Sequence, residues 1–527
     1  VPDLLIIGGG ITGAGAARDA ALRGLQVVLV ERNDLACGTS SRSSRLVHGG
    51  VRYLEHGHLG LVFESSRERR ILLATARHLV RPLSFTWPVY RGARLPRWKV
   101  GAGLALYDAL SLFRNVGRHH RLGAAGVLER EDALSRDGLL GGFSYWDAST
   151  DDSRLTLATA LDAAAAGADI RTHTETVALL RDGARIAGAR VRNRLTGEEC
   201  ELHARLVVST VGPWTDELLR LDPASAGGSP AVRGTKGVHI LLPREAVGNA
   251  GALTLVAPMD GRVTFALPAG DFALVGTTDT PTGEHPADVR AARQDVDYLL
   301  DVVRHFFPGR GTSTSDVLSA WAGIRPLAAS GYTGGPSSAS REHAIVRHAP
   351  GMLVVTGGKL TTYRSMAEEI VDKAASELGT RLPPSPTADR PLPGGDLDPA
   401  VELAEATRVI GDAAVARRLT EAHGSGWRAV WALGNENAEL RGRISPDRPY
   451  IMAEVVHAAR SEWARTLADV LVRRVPVAFE TRDNGRGAAA RVAQVLGREL
   501  GWNERRRDQE LERFESEVTA TFGILPD

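Results

Sequence analysis

The chain has 527 residues, 43% of them apolar and 24% charged. That is the balance of a globular protein, and one too long for a single hydrophobic core, since such cores stop growing near about 250 to 300 residues. A formal net charge of +1 argues against a nucleic-acid partner, and the two cysteines, Cys37 and Cys200, have neither disulfide-framework nor metal-ligand spacing, which fits a reducing, cytoplasmic setting.

The first thirty residues read as one βαβ unit: strand Leu4–Ile7, a glycine turn, an Ala-rich helix from about Thr12 to Arg23, and strand Val27–Val30 ending in Glu31. No basic leader precedes the first strand, so a signal peptide is not expected. Gly8, Gly10 and Gly13 form G-x-G-x-x-G between strand and helix. The first glycine permits the tight turn, the second lets the backbone approach a pyrophosphate, and the third lets helix and strand pack closely. Glu31, about twenty residues on, is placed to accept hydrogen bonds from the ribose hydroxyls of an adenosine. The motif does not separate NAD from FAD. The hydroxyl-rich stretch from Gly38 to Tyr53 does, because Ser40, Ser41 and Ser44, with the pair Gly49 and Gly50, stand where a bulkier cofactor would continue past the pyrophosphate.

Further along, β-rich runs at Arg205–Val211 and Met352–Thr356 each enter a glycine turn, at Gly212 and Gly358. The α/β nucleotide domain is therefore expected in three pieces, 1–82, 141–232 and 321–382. A Trp- and Arg-rich insert, 83–140, and a strand-rich segment, 233–320, would form an α+β substrate-side domain. Five prolines in 383–396 mark a linker, and 397–527 reads as helical, with Met452, Val455, Val456, Ala459 and Trp463 on one face and Val492, Val495 and Leu496 on another.

No uncharged run approaches the 18 or so residues of a spanning helix. The insert nevertheless holds Arg91, Arg94, Arg97, Lys99, Arg114, Arg118 and Arg121 against Asp108, interleaved with Trp98, Leu104, Leu106, Tyr107, Leu110, Leu112 and Phe113. Such a surface suits anionic headgroups and a peripheral membrane contact; the other reading is an ordinary solvated face over a packed insert.

The runs "SSRSSRLVHGGVRYLEH" ending at His56, "STVGPW" at Ser209–Trp214, "GTTD" at Gly276–Asp279, "GIRPL" at Gly323–Leu327 and "GGKLTTYR" at Gly357–Arg364 together resemble the FAD-dependent, respiratory glycerol-3-phosphate dehydrogenases. The resemblance covers nearly the whole chain. It implies a Rossmann-like, glutathione-reductase-type FAD domain with an inserted substrate domain and a C-terminal all-α domain. It also implies oxidation of glycerol 3-phosphate to dihydroxyacetone phosphate, with electrons passed to a membrane quinone at the inner face of the cell membrane, and it leaves a homodimer open. Glycerol-phosphate oxidases using oxygen share most of these motifs, and FAD amine and amino-acid oxidases are the more distant alternative.

On the same basis Arg325 and Arg341 look like phosphate-side arginines, whose planar forks donate bidentately and keep their charge. Arg52 and Tyr53 resemble residues lining the substrate cavity. Lys359 follows two glycines at the start of a predicted helix, which would direct its N-terminus and the N–H groups of Leu360 and Thr361 at the flavin, with Lys359 reaching flavin or phosphate. His239 is the candidate base, with His48 in the cofactor loop as the alternative imidazole; a packed strand histidine is the plainer account of His239.

Overall fold

The structure is a computed structural model that describes residues 1–222, 224, 230–329 and 343–526. Its first layer is a six-stranded sheet in the order Ala344–Ala349, Met352–Thr356, Leu206–Ser209, Leu4–Ile7, Val27–Val30, Asp169–Arg171, parallel except for its first strand. The central strands are apolar at every position because both faces are covered. Leu4 and Ile6 face the helices Ile11–Leu22, Asp152–Ala165 and Tyr363–Leu378, while Leu5 and Ile7 face a three-stranded antiparallel sheet, 174–203. Alanines at 14, 17, 20 and 21 keep the first helix thin, so that its neighbours pack close.

The second layer is a ten-stranded sheet. Its main path runs Thr280–Thr282, Val232–Pro243, Phe272–Gly276, Val263–Ala269, Ala252–Val256, Arg81–Tyr90, Leu139–Ser149, Leu46–Val47. Ser319–Ala328 pairs with Val232–Pro243 over ten residues, and helix Arg293–Phe306 covers one face. The insert and the later strand-rich segment thus share one sheet, which also takes Leu46–Val47 from the cofactor loop. Strands Arg81–Tyr90, Leu139–Ser149 and Ser319–Ala328 run across the boundaries expected at 82, 140 and 320, because long-range pairing leaves no mark in local composition.

Residues 383–396 carry no helix or strand, yet they are fastened down. Arg23 Nε donates to the Pro383 carbonyl at 2.8 Å, Arg18 Nη2 to that of Arg390 at 2.8 Å, and the Leu392 N–H to that of Thr75 at 2.8 Å. Beyond them the chain is helical, and Asp398, Asp412 and Asn503 cap helices with their side chains, each worth about 1 kcal/mol. Met452, Val455, Val456 and Ala459 share the buried face of Met452–Ser461. Trp463 does not extend that face: the helix stops before it, its φ is 57°, and its ring packs against the core of the first layer. Helical spacing could not register that turn.

Candidate active site

The cofactor end is built by the first strand and helix. Gly8 has φ +110°, and a Cβ there would lie 2.8 Å from the Thr210 backbone; one on Gly13 would lie 1.9 Å from the Gly8 oxygen. The helix Ile11–Leu22 starts at Gly10, which has no side chain to cap it; Ser40 Oγ takes the Ile11 N–H, and the rest of the first turn keeps its donors and positive dipole for an anion. Glu31 Oε2 accepts the Gly9 N–H at 2.7 Å, and Oε1 accepts that of Asn33 at 2.9 Å.

The three serines are placed differently from one another. Ser40 Oγ accepts the Ile11 N–H at 3.0 Å and keeps its own proton to give. Ser41 is buried and donates to the Gly38 carbonyl at 3.3 Å. Ser44 Oγ meets His239 Nε2 at 2.9 Å, which ties the cofactor loop to the candidate base.

A cavity of about 650 Å³ joins these groups to the candidate substrate residues. Glu31, Gly8, Gly10 and Ser40 line it, as do Gly212, His48, Gly50, Arg52, Tyr53, His239, Arg325, Gly358, Lys359, Leu360 and Thr361. Its fit to a dinucleotide rests on the uncapped helix start and on the close backbone approach that the glycines permit.

Facing loops are tied together around the cavity. Thr361 Oγ1 accepts the His48 N–H at 3.1 Å and donates to the His48 carbonyl at 3.2 Å. The Gly49 N–H donates at 2.9 Å to Asp147, whose carboxylate also receives Tyr107 and Arg69. Gly50 has φ +78°, and a Cβ there would lie 2.3 Å from the Tyr53 ring. Lys359 Nζ lies 3.9 Å from the centre of that ring, within cation–π range. Lys359, Leu360 and Thr361 precede the helix, which begins at Tyr363, so the N–H groups of Leu360 and Thr361 belong to the approach loop and not to the first helical turn.

Paired strands set the substrate end. Arg325 and Trp321 lie four residues apart on one strand, and His239 is the register partner of Trp321. Arg325 Nη2 donates to Thr277 Oγ1 at 2.9 Å and Nη1 to Asp279 Oδ1 at 3.1 Å, over Gly237, where a Cβ would lie 2.6 Å from Nη2. His239 stacks on Trp321 with centroids 5.8 Å apart. Burial, then the charges of Arg325 and Arg45, lower its imidazole from the ordinary value to about 3, so the ring is neutral. Its Nδ1 is buried and has no hydrogen-bond partner among the described residues. Arg341 lies outside the described residues.

Sequence reasoning did not single out Asp147 and Arg69, or Trp321 behind His239, and it counted Tyr107 with the membrane-facing residues of the insert, whereas Tyr107 is buried and joins Asp147 and Arg69 in holding the Gly49 turn. Only the alternation that puts Trp321 and Arg325 on one strand face pointed toward that tryptophan.

Comparison with known proteins places the chain in a family. Residues 3–371 match the model of the FAD-dependent oxidoreductase family, and 385–507 match the C-terminal domain of alpha-glycerophosphate oxidase. A glycerol-3-phosphate dehydrogenase of Mycobacterium leprae is 38% identical, covering 98% of this chain and 88% of its own length. The crystal structure of the glycerol-3-phosphate dehydrogenase from Bacillus halodurans, complexed with FAD, superposes with a TM-score of 0.80 at 30% identity, over 99% of this chain and 95% of that one. The L-alpha-glycerophosphate oxidase of Mycoplasma pneumoniae shares the fold, with a TM-score of 0.58 at 18% identity over 74% of this chain and 99% of that one.

Proposed function

This chain belongs to the FAD-dependent glycerol-3-phosphate dehydrogenases, and from that premise we propose that it oxidises sn-glycerol 3-phosphate to dihydroxyacetone phosphate and delivers the electrons to a membrane quinone. The observation that supports the substrate is Arg325, clamped by Thr277 and Asp279 at the cavity wall beside His239. Its charge is fixed there, and since Nη1 and Nη2 already donate to Thr277, Asp279 and the Thr278 carbonyl, it would meet phosphate by exchanging the longer bonds to that carbonyl, close to a proton acceptor for the alcohol. Arg52 and Lys359, on the same cavity, add charge against the dianion, and Tyr53 orients the Lys359 ammonium.

Bound FAD supplies the acceptor for the hydride that leaves C2. The hydroxyl proton goes to Ser44 Oγ as Ser44 passes its own to His239 Nε2, a relay the 2.9 Å contact allows when the imidazole proton sits on Nδ1. Without substrate the ring is a weak base because it is buried beside Arg325 and Arg45. A phosphate dianion on Arg325 offsets that field and raises its basicity.

The membrane reading rests on helix Arg97–Leu110 and the turn after it. Leu104 and Tyr107 point inward and are wholly buried, whereas Trp98 is 75% and Phe113 59% exposed, with Leu106, Leu112 and Val116 exposed beside them. No helix among the described residues is long and apolar enough to cross a membrane; the contact proposed is a peripheral one, at the inner face of the cell membrane. Glu55 pairs with Arg94 at 2.9 Å and approaches Lys99 at 4.0 Å, which trims the positive charge that the segment alone suggests.

Anaerobic titration of the purified yellow protein with glycerol 3-phosphate tests the assignment. The flavin is expected to bleach with glycerol 3-phosphate but not with sarcosine or D-amino acids, and to recover faster with a quinone analogue than with oxygen. Faster recovery with oxygen would make the chain an oxidase, and bleaching by amino acids would overturn the substrate.

A further inference from the structure

Among the described residues the cavity is lined only from Ile7 to Thr361, so the C-terminal helical domain contributes nothing to its wall. That domain nevertheless grips the loop between Glu31 and Arg45, which does line the cavity. Asp34, in the loop, is 0% exposed and accepts from Arg473 Nε at 2.6 Å and from Arg474 Nη1 and Nη2 at 2.5 and 2.8 Å. Arg42 Nη2 reaches Thr521 Oγ1 at 3.5 Å, and the Arg45 guanidinium lies 5.1 Å from the centre of the Phe479 ring. The arginines are themselves braced: Arg473 by Asp469 at 2.9 Å and Glu517 at 2.7 Å, Arg474 by the Glu462 carbonyl at 2.6 Å.

The loop needs such bracing. Ala36 and Arg45 sit at φ 61° and 55°, left-handed values that side chains other than glycine hold only where their surroundings impose them. The turn also closes on the cofactor motif: the Ala36 N–H donates to the Gly9 carbonyl at 3.1 Å, while Glu31 takes the N–H groups of Gly9 and Asn33. Asp34 lies in the middle of this turn. A buried carboxylate stripped of its partners would move to water and take the turn with it.

We propose that Arg473 and Arg474 are positioning residues of the cofactor site, holding through Asp34 the turn that presents Glu31 to the adenosine ribose, so that docking of the C-terminal domain and retention of FAD are one coupled event. The proposal rests on the reading that Glu31 faces the ribose. Coupling is reciprocal, so bound FAD should also tighten the domain contact.

The test uses the full-length holoenzyme, stripped of flavin and reconstituted with FAD, following flavin fluorescence for Kd and the melting temperature of the apoprotein. Arg474→Met is expected to raise the Kd for FAD by about tenfold or more, with partial recovery in Arg474→Lys. Arg448→Met is the control: it removes the contact of the Arg448 guanidinium with the Phe272 ring, 4.6 Å from its centre, where the same helical domain meets the substrate sheet away from Asp34. It should lower the melting temperature while leaving Kd within about twofold. An unchanged Kd in Arg474→Met, or an equal rise in Arg448→Met, overturns the proposal. If Arg474→Met does not fold, Asp34→Asn takes its place, with the same rise expected and an unchanged Kd again overturning it. FAD binding is read without glycerol 3-phosphate, so this outcome is independent of the substrate assignment.

Discussion

Ser44 Oγ and His239 Nε2 lie 2.9 Å apart, joining a residue of the cofactor loop to a strand of the substrate sheet. The pair puts a hydroxyl on the cavity wall in front of a buried neutral imidazole. Replacing His239 with alanine is expected to slow anaerobic flavin reduction by about 10²- to 10⁴-fold with FAD content intact. Ser44→Ala should slow it in the same direction. Stopped-flow reduction at saturating glycerol 3-phosphate reads both, and unchanged rates would return the role of base to His48 or to water.

Arg325→Ala removes the charged fork at the substrate end. Hydrogen bonds of this kind are worth about 1.5 to 3 kcal/mol, or roughly ten- to a hundredfold in binding. KM for glycerol 3-phosphate should rise by that order, while turnover of plain glycerol changes little. Equal losses on both substrates would deny Arg325 a role in phosphate binding.

A methyl group at Gly13 would come within 1.9 Å of the Gly8 carbonyl, a contact that only movement of the helix or the turn can relieve. Gly13→Ala should therefore purify with its visible flavin absorbance per protein reduced about tenfold or more. Full flavin occupancy would show that the turn is free to shift.

Liposome flotation tests the exposed face of helix Arg97–Leu110. Binding should require anionic lipid and weaken as salt rises, and it should fall when Trp98 and Phe113, the most exposed of its large apolar residues, are changed to serine. Reversing Lys99 to Glu should weaken it further. Binding indifferent to all three positions would place the lipid contact elsewhere.

His78 provides a prediction in pH. Burial, then the charges of Arg154, His423 and Arg81, lower its imidazole from 6.5 to about 3. The unfolded chain takes up a proton there below about pH 6.5 and the folded chain does not until about pH 3. The contribution to stability is therefore whole above 6.5 and is lost as pH falls, at about 1.4 kcal/mol per pH unit. Melting temperatures of wild type and His78→Gln, measured across that window, should show a shallower decline in the variant; parallel curves would refute it.

Local sequence carried the cofactor end well. A glycine triplet between an apolar strand and an Ala-rich helix, followed by Glu31, constrains geometry over a short stretch of chain, and the structure has that geometry. The other end depends on partners far away in sequence. Nothing around Gly49 announces that its N–H is held by Asp147, or that Tyr107, on the helix with the exposed tryptophan, shares that carboxylate. Trp463 shows the same limit: its spacing fits a helix, but a left-handed residue turns it toward a different core. The clustered hydroxyls suggested a cofactor contact for Ser44, but its contact with His239 could be seen only once the distant strand bearing that histidine was in place.

The shared sheet also limits how the molecule can move. Leu46–Val47 leaves the cofactor loop and pairs directly with Leu139–Ser149 in the substrate sheet, and the chain crosses between the layers again after Ser149, after Ser209 and after Ala328. Among the described residues the two sheets share no ladder hydrogen bond, so these connections of one backbone are what tie the layers together, and any swing of one against the other must bend several of them at once.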